Sequence, residues 1–156
     1  MIEVDLISYC DGNVKDYYYN IYVLKVGDTV VYIGKSLDIY ERWFGLRGRL
    51  RRSRIWFTGT ETLAVMIADN PDWDWKLQLW TVREAAKFCH YKMPRVESIR
   101  TMDRVETAMI AKLKPIENRH KLYFEGGQKI PKFIQDYYNL VDETVDQAFD
   151  EVFNQG

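Results

Sequence analysis

Between Tyr18 and Val26 aromatic and β-branched residues dominate, Gly27 and Asp28 interrupt them, and Thr29 to Ile33 resumes the same composition. This pattern predicts a β-hairpin. Its register decides which side chains share a face, because a slip of one residue reverses them all. A two-residue Gly27-Asp28 loop sets Tyr22 opposite Ile33 and sends Tyr22 and Tyr32 to opposite faces. A three-residue loop, Val26 to Asp28, pairs Tyr22 with Tyr32. A shared face therefore needs the longer loop or a bulge. Beyond Gly34 the chain turns through Lys35 and Ser36 into a helix starting near Asp38, with Arg42 one turn further on. Leu63 to Ala68 suits either a short buried helix or a strand. Trp75 to Val82 alternates as a third strand, and Thr81 followed by Glu84 has the capping-box pattern of a helix start.

From Ser98 to Lys114 the period becomes helical. Ile99, Met102, Val105, Met109, Ile110 and Leu113 recur at three- and four-residue intervals and form one apolar stripe. Glu106 falls inside that stripe, where a carboxylate is expensive unless it is paired, hydrogen-bonded or metal-bound. The structural alternative is a buried salt bridge to an arginine. Pro115 stops the helix and Asn118 follows in a loop, where asparagine commonly bonds nearby backbone. The last segment, 132–154, is an amphipathic helix with Tyr137, Leu140, Val141, Val145, Ala148, Phe149 and Val152 on or near one face.

The chain has 156 residues, 47% of them hydrophobic, and no repeat or linker interrupts it, which predicts one folded domain, 1–156. No apolar run is long enough to span a bilayer and the first residues lack a secretion signal, so the expected compartment is the cytoplasm, without membrane contact. Cys10, Cys89, His90 and His120 match no zinc spacing. Charge is unevenly spread: residues 132–156 carry one lysine and six carboxylates, leaving +4 on residues 1–131 of a chain whose net charge is -1. Within the basic part, Arg47, Arg49, Arg51, Arg52 and Arg54 fall in eight residues. Such a run can hold a nucleic-acid backbone without reading its sequence, although a solvated loop has the same composition.

Asn20-Ile21-Tyr22, Tyr32-Ile33-Gly34, Arg42, Glu106 and Asn118 together resemble the active site of the GIY-YIG endonuclease family. Tyr22 to Tyr32 and Tyr32 to Arg42 each span ten residues, and Glu106 to Asn118 spans twelve, intervals that suit the family. The resemblance covers about residues 19–119. It implies an α+β fold, a small three-stranded antiparallel sheet flanked by helices, with an insertion near 47–97 and the acidic C-terminal helix added. It departs from the family at Asn20, which stands in place of a glycine, and in the length of the insertion, which also contains Trp73, Asp74 and Trp75.

The chemistry implied is hydrolysis of a DNA phosphodiester with one Mg²⁺ or Mn²⁺ per site, held by Glu106 and otherwise by water and phosphate oxygens. The ends produced would be a 5′-phosphate and a 3′-hydroxyl. Tyr22 or Tyr32 would activate or orient the attacking water, Arg42 would neutralise phosphate charge, and Asn118 would help hold the site together. Lys35, as in repair-type members, or the metal would have to lower the tyrosine pKa from about 10. Gly34 permits close approach of a phosphate, the helix start beyond it offers N–H groups, and Arg47, Arg49, Arg51, Arg52 and Arg54 would bind the backbone. Two other readings stand beside the nuclease: a nucleic-acid-binding module of the same fold without activity, and a protein-interaction domain. In any of these the C-terminal helix packs on the domain, on a second copy in a homodimer, or on a protein partner.

Overall fold

The computed structural model describes residues 1–11, 19–44, 62–118 and 129–154. In chain order these form β1 (Ile2–Asp5), α1 (Leu6–Asp11), β2 (Ile21–Val26), β3 (Thr29–Lys35), α2 (Ile39–Phe44), α3 (Thr62–Asp69), β4 (Trp75–Trp80), α4 (Val82–Phe88), α5 (Ile99–Leu113) and α6 (Lys132–Asn154). The fold is α+β. Among the described residues its open antiparallel sheet has four strands in the order β1-β4-β2-β3, not the three the family resemblance implies. The additional strand is β1, whose Ile2 and Val4 pair with Leu79 and Leu77 of β4. Four residues carry too little periodicity to announce a strand, and this one is held by a partner more than seventy positions away. The ambiguous 62–69 segment is helical. Among the described residues no helix is long and apolar enough to cross a membrane.

The hairpin turns tightly at Gly27 and Asp28, with Gly27 at φ +56° and Val26 opposite Thr29. Lys25 pairs with Val30, but Leu24 pairs with Tyr32, so Val31 is an extra residue on β3. This bulge corrects the register of a two-residue loop. Val31 and Tyr32 consequently both face the same hydrophobic cluster although they are consecutive. Beyond the bulge Tyr22 lies opposite Gly34, not opposite Tyr32.

The sheet separates two cores. On one face Tyr22, Leu24, Val31, Leu77 and Leu79 join Ile39 and Trp43 of α2, Leu63 and Met66 of α3, and Ile134 of α6. On the other, Ile21, Val23, Val30 and Ile33 join Val82 and Ala85 of α4 and Met102, Val105 and Met109 of α5. Helix α4 starts at Thr81 and α5 at Ser98, each closed by a capping box. Helix α5 ends at Lys114, whose φ of +50° puts it in the left-handed region just before Pro115. Ile99, assigned to the apolar stripe by its spacing, is 64% exposed. It opens the helix at its first turn, before α5 has reached the sheet.

Helix α6 docks by its N-terminal half. Ile134 is fully buried, and the rings of Phe133 and Tyr137 each stand nearly perpendicular to Trp73, with centroids 5.0 and 5.7 Å from it. The Tyr137 hydroxyl donates to Asp69 at 3.0 Å, and that of Tyr138 donates to Glu117. Burial first, and then these carboxylates, raise both phenols above their ordinary range. Trp73 and Trp75, which the sequence places in the insertion, are thus part of the seat for this helix.

Candidate active site

Tyr22 and Tyr32 stand diagonally on one face of the hairpin, their rings stacked with centroids 6.1 Å apart and planes 30° from parallel. The shared face follows from the bulge, since without Val31 as the extra residue the alternation would send Tyr32 to the opposite side. Tyr22 is 1% exposed, and the edge of its ring meets Trp43 of α2 at 5.6 Å. Tyr32 is half-buried and reaches solvent.

Gly34 has a steric reason that the sequence pattern did not show. A Cβ placed there would lie 2.3 Å from the Tyr22 hydroxyl and 2.4 Å from its ring carbon Cζ. The close approach at this glycine is therefore made by the Tyr22 ring. The helix start that follows is also occupied: Asp38 Oδ1 accepts the Glu41 N–H at 3.1 Å, and the Asp38 N–H donates to Ser36 Oγ at 3.1 Å. These two donors are engaged within the turn itself. Arg42 is exposed on α2, whose Ile39 and Trp43 turn inward.

Asn20 is accommodated without positive φ. Its backbone joins the sheet end through an N–H to Trp80 O at 3.1 Å and a carbonyl that accepts from Ser36 N at 2.9 Å. Its side-chain Nδ2 donates to Ser36 O at 3.0 Å. The side chain absent from a glycine is thus used to fix the turn that leaves β3.

Asn118 is 5% exposed and completes the outer edge of β3. The Ile33 N–H donates to Asn118 Oδ1 at 2.9 Å, while Asn118 Nδ2 donates to Ile33 O at 2.8 Å. One side-chain amide replaces the pair of bonds that a neighbouring strand would make. Just before it, Ile116 N and Glu117 N donate to Val30 O and Val31 O at 3.3 and 2.8 Å. The residue between Tyr32 and Gly34 is held at its open edge by this asparagine.

Lys35 ends β3 on the opposite face, in register with Ile21. Its ammonium pairs with Asp103 and lies 3.5 Å from Glu106 Oε1. The hydrogen bond to Asp103, then the charges of Glu106 and Asp103, outweigh desolvation and raise the Lys35 pKa above its ordinary value. Lys35 therefore sits with the carboxylates of α5, on the face opposite the tyrosines. Glu106 has a lysine partner where the structural alternative supposed an arginine, and its side chain retains 19% exposure at the margin of the buried stripe. The edge strand β3 is where the two faces meet. Asp103 escaped the sequence reading, although its spacing of one turn from Glu106 on the same helix was the available signal.

A divalent cation at Glu106 would meet one partly exposed carboxylate whose Oε1 is already satisfied by an ammonium. The donor chemistry suits a water-rich magnesium shell, and Asp103 can retain Lys35 when Glu106 turns to another cation. Among the described residues no three His, Cys, Asp or Glu side chains converge. Arg47, Arg49, Arg51, Arg52 and Arg54 lie outside the described residues, as does His120. Tyr22 and Tyr32 are brought together on one face, Lys35 and Glu106 on the other, and Asn118 at the edge between them. No family model, no curated protein and no solved structure matches this chain.

Proposed function

We propose that this chain is a GIY-YIG-type endonuclease that hydrolyses DNA phosphodiesters. The observation that carries this reading is the stacked Tyr22–Tyr32 pair, with Gly34 shaped to the Tyr22 ring and Asn118 holding the residue between Tyr32 and Gly34. Tyr32, half-exposed, is the hydroxyl that orients the attacking water; Tyr22, buried beside Trp43, fixes its position. Arg42, exposed on the neighbouring helix, neutralises charge on the phosphate. Glu106 stands on the face opposite the tyrosines, so the phosphate would have to lie across the β3 edge; there Glu106 is the residue to hold Mg²⁺ or Mn²⁺, which when bound would supply Lewis-acid stabilisation. Lys35, held positive by its carboxylates, keeps Glu106 oriented at the strand end.

The pairing of Lys35 with both Asp103 and Glu106 favours a second reading, a nucleic-acid-binding module without hydrolysis, because the carboxylates are already neutralised. Supercoiled plasmid, a branched DNA and an RNA, each incubated with protein in Mg²⁺ or in EDTA, separate the two. The nuclease reading expects Mg²⁺-dependent DNA cleavage that leaves 5′-phosphates and falls about 10²-fold or more in Tyr32→Phe. Binding of these substrates without Mg²⁺-dependent cleavage overturns it in favour of the module.

A further inference from the structure

We propose that the exposed cations before and at the start of α5, Lys92, Arg95, Arg100 and Arg104, bind the phosphate backbone of duplex nucleic acid. The inference rests on the nucleic-acid part of the proposed function and adds contact residues separate in sequence from the arginine run at 47–54. All four cations are exposed. The acids interspersed with them are engaged elsewhere, Glu97 with Arg83 at 2.9 Å and Asp103 with Lys35. The surface is left cationic on a chain whose net charge is -1.

Helix polarity strengthens the case. The first turn of α5 contains no acidic residue and holds Arg100. Cations there oppose the positive end of the helix dipole, a placement that a bound anion would reverse into an advantage. Arg100 and Arg104 are one turn apart, about 6 Å along the axis, and project to the side away from Met102 and Val105. A duplex, with a charge about every 1.7 Å of its length, presents phosphates to both guanidinium forks.

Val96 and Ile99 are exposed among these cations at 79% and 64%, so an anionic membrane is the competing partner. The rest of the apolar face of α5 is in the core, with Val105 and Met109 fully buried. Two aliphatic side chains offer little area to insert into a bilayer, which favours the polyanion.

The test is fluorescence anisotropy of a labelled duplex in EDTA, measured at several salt concentrations so that cleavage plays no part. Arg95→Gln/Arg100→Gln/Arg104→Gln should weaken binding and reduce the slope of log K against log salt by about 0.9 per lost contact, between two and three units in all. Arg95→Lys/Arg100→Lys/Arg104→Lys should keep the wild-type slope, which separates charge from any effect on folding. If the wild type binds and the glutamine variant has the same slope, the inference falls while the nuclease reading stands. If the wild type binds no duplex, both fall. Loss of binding to phosphatidylserine vesicles in the glutamine variant, with duplex binding unchanged, would assign the surface to a membrane and overturn the proposal.

Discussion

On one face of the sheet Tyr22, Tyr32 and Trp43 meet ring against ring, whereas on the other Ile21, Val23 and Ile33 share a core with Met102, Val105 and Met109. Flat rings in edge-to-face and stacked contact have few ways to rearrange, so the aromatic face fixes geometry to within a side chain. Methionine and aliphatic groups tolerate small shifts. The charged groups follow the same division: Lys35, Asp103 and Glu106 stand at the margin of the adaptable face, where helix α5 and a lysine can adjust to a ligand. Strands β2 and β3 supply side chains to both faces, and β3 is the edge strand that carries both Tyr32 and Lys35. Its outer edge depends on Asn118.

The largest effect should come from breaking that edge. Asn118→Ala leaves the Ile33 N–H and C=O without their partner at a buried position, at about 1–3 kcal/mol each. We expect a total loss of about 2–5 kcal/mol, seen as a fall of about 5–15 °C in melting temperature. A change below about 1 kcal/mol would mean that water can replace the amide, and that the edge does not hold the two faces together.

A smaller effect probes the rigid face alone. Gly34→Ala forces a methyl group to within 2.4 Å of Tyr22 Cζ, and Tyr22 cannot swing away because it is 1% exposed and held by Trp43. Overpacking of this kind costs about 1–3 kcal/mol. Replacing Tyr22 by leucine should remove most of that penalty, so a double-mutant cycle should show coupling of about 1 kcal/mol or more. Additive effects would refute the steric account of the glycine.

The adaptable face should respond least. Lys35 is partly exposed and Asp103 about half, so Lys35→Met is expected to cost about 1 kcal/mol or less after solvent screening. Its signature is a pH dependence. The folded pKa of Lys35 is raised above the ordinary 10.5, so this contribution is full below that value and is lost as pH rises through the folded pKa. Urea midpoints measured from pH 8 to 11 should decline more steeply at the alkaline end in the wild type than in Lys35→Met. Parallel curves would remove Lys35 as the source.

Local chemistry made much of this legible in the sequence. The hairpin, the capping box at Thr81, the span of α5 and the position of the C-terminal helix follow from turn residues and apolar period within a few positions. Tertiary pairing hid the rest. The bulge at Val31 is invisible to composition, yet it alone puts Tyr22 and Tyr32 on one face. Strand β1 depends on β4, and the choice of helix for 62–69 depends on burial of Leu63 and Met66 beneath the sheet. The spacing that singled out Glu106 could not foresee that Lys35 would reach it from the other side of the strand alternation. Trp73 reads only as part of an insertion until the C-terminal helix is seen to lie on it.

Whether Glu106 binds a metal or merely pairs with Lys35 is decided by Glu106→Gln, with DNA cleavage in Mg²⁺ and thermal melting measured on the same purified protein. A metal role at Glu106 predicts a loss of cleavage of about 10²-fold or more and a stability change within about 1 kcal/mol, because Asp103 still holds Lys35. Undiminished cleavage by the folded variant, or a destabilisation of about 3–5 kcal/mol from a stranded cation, would contradict it.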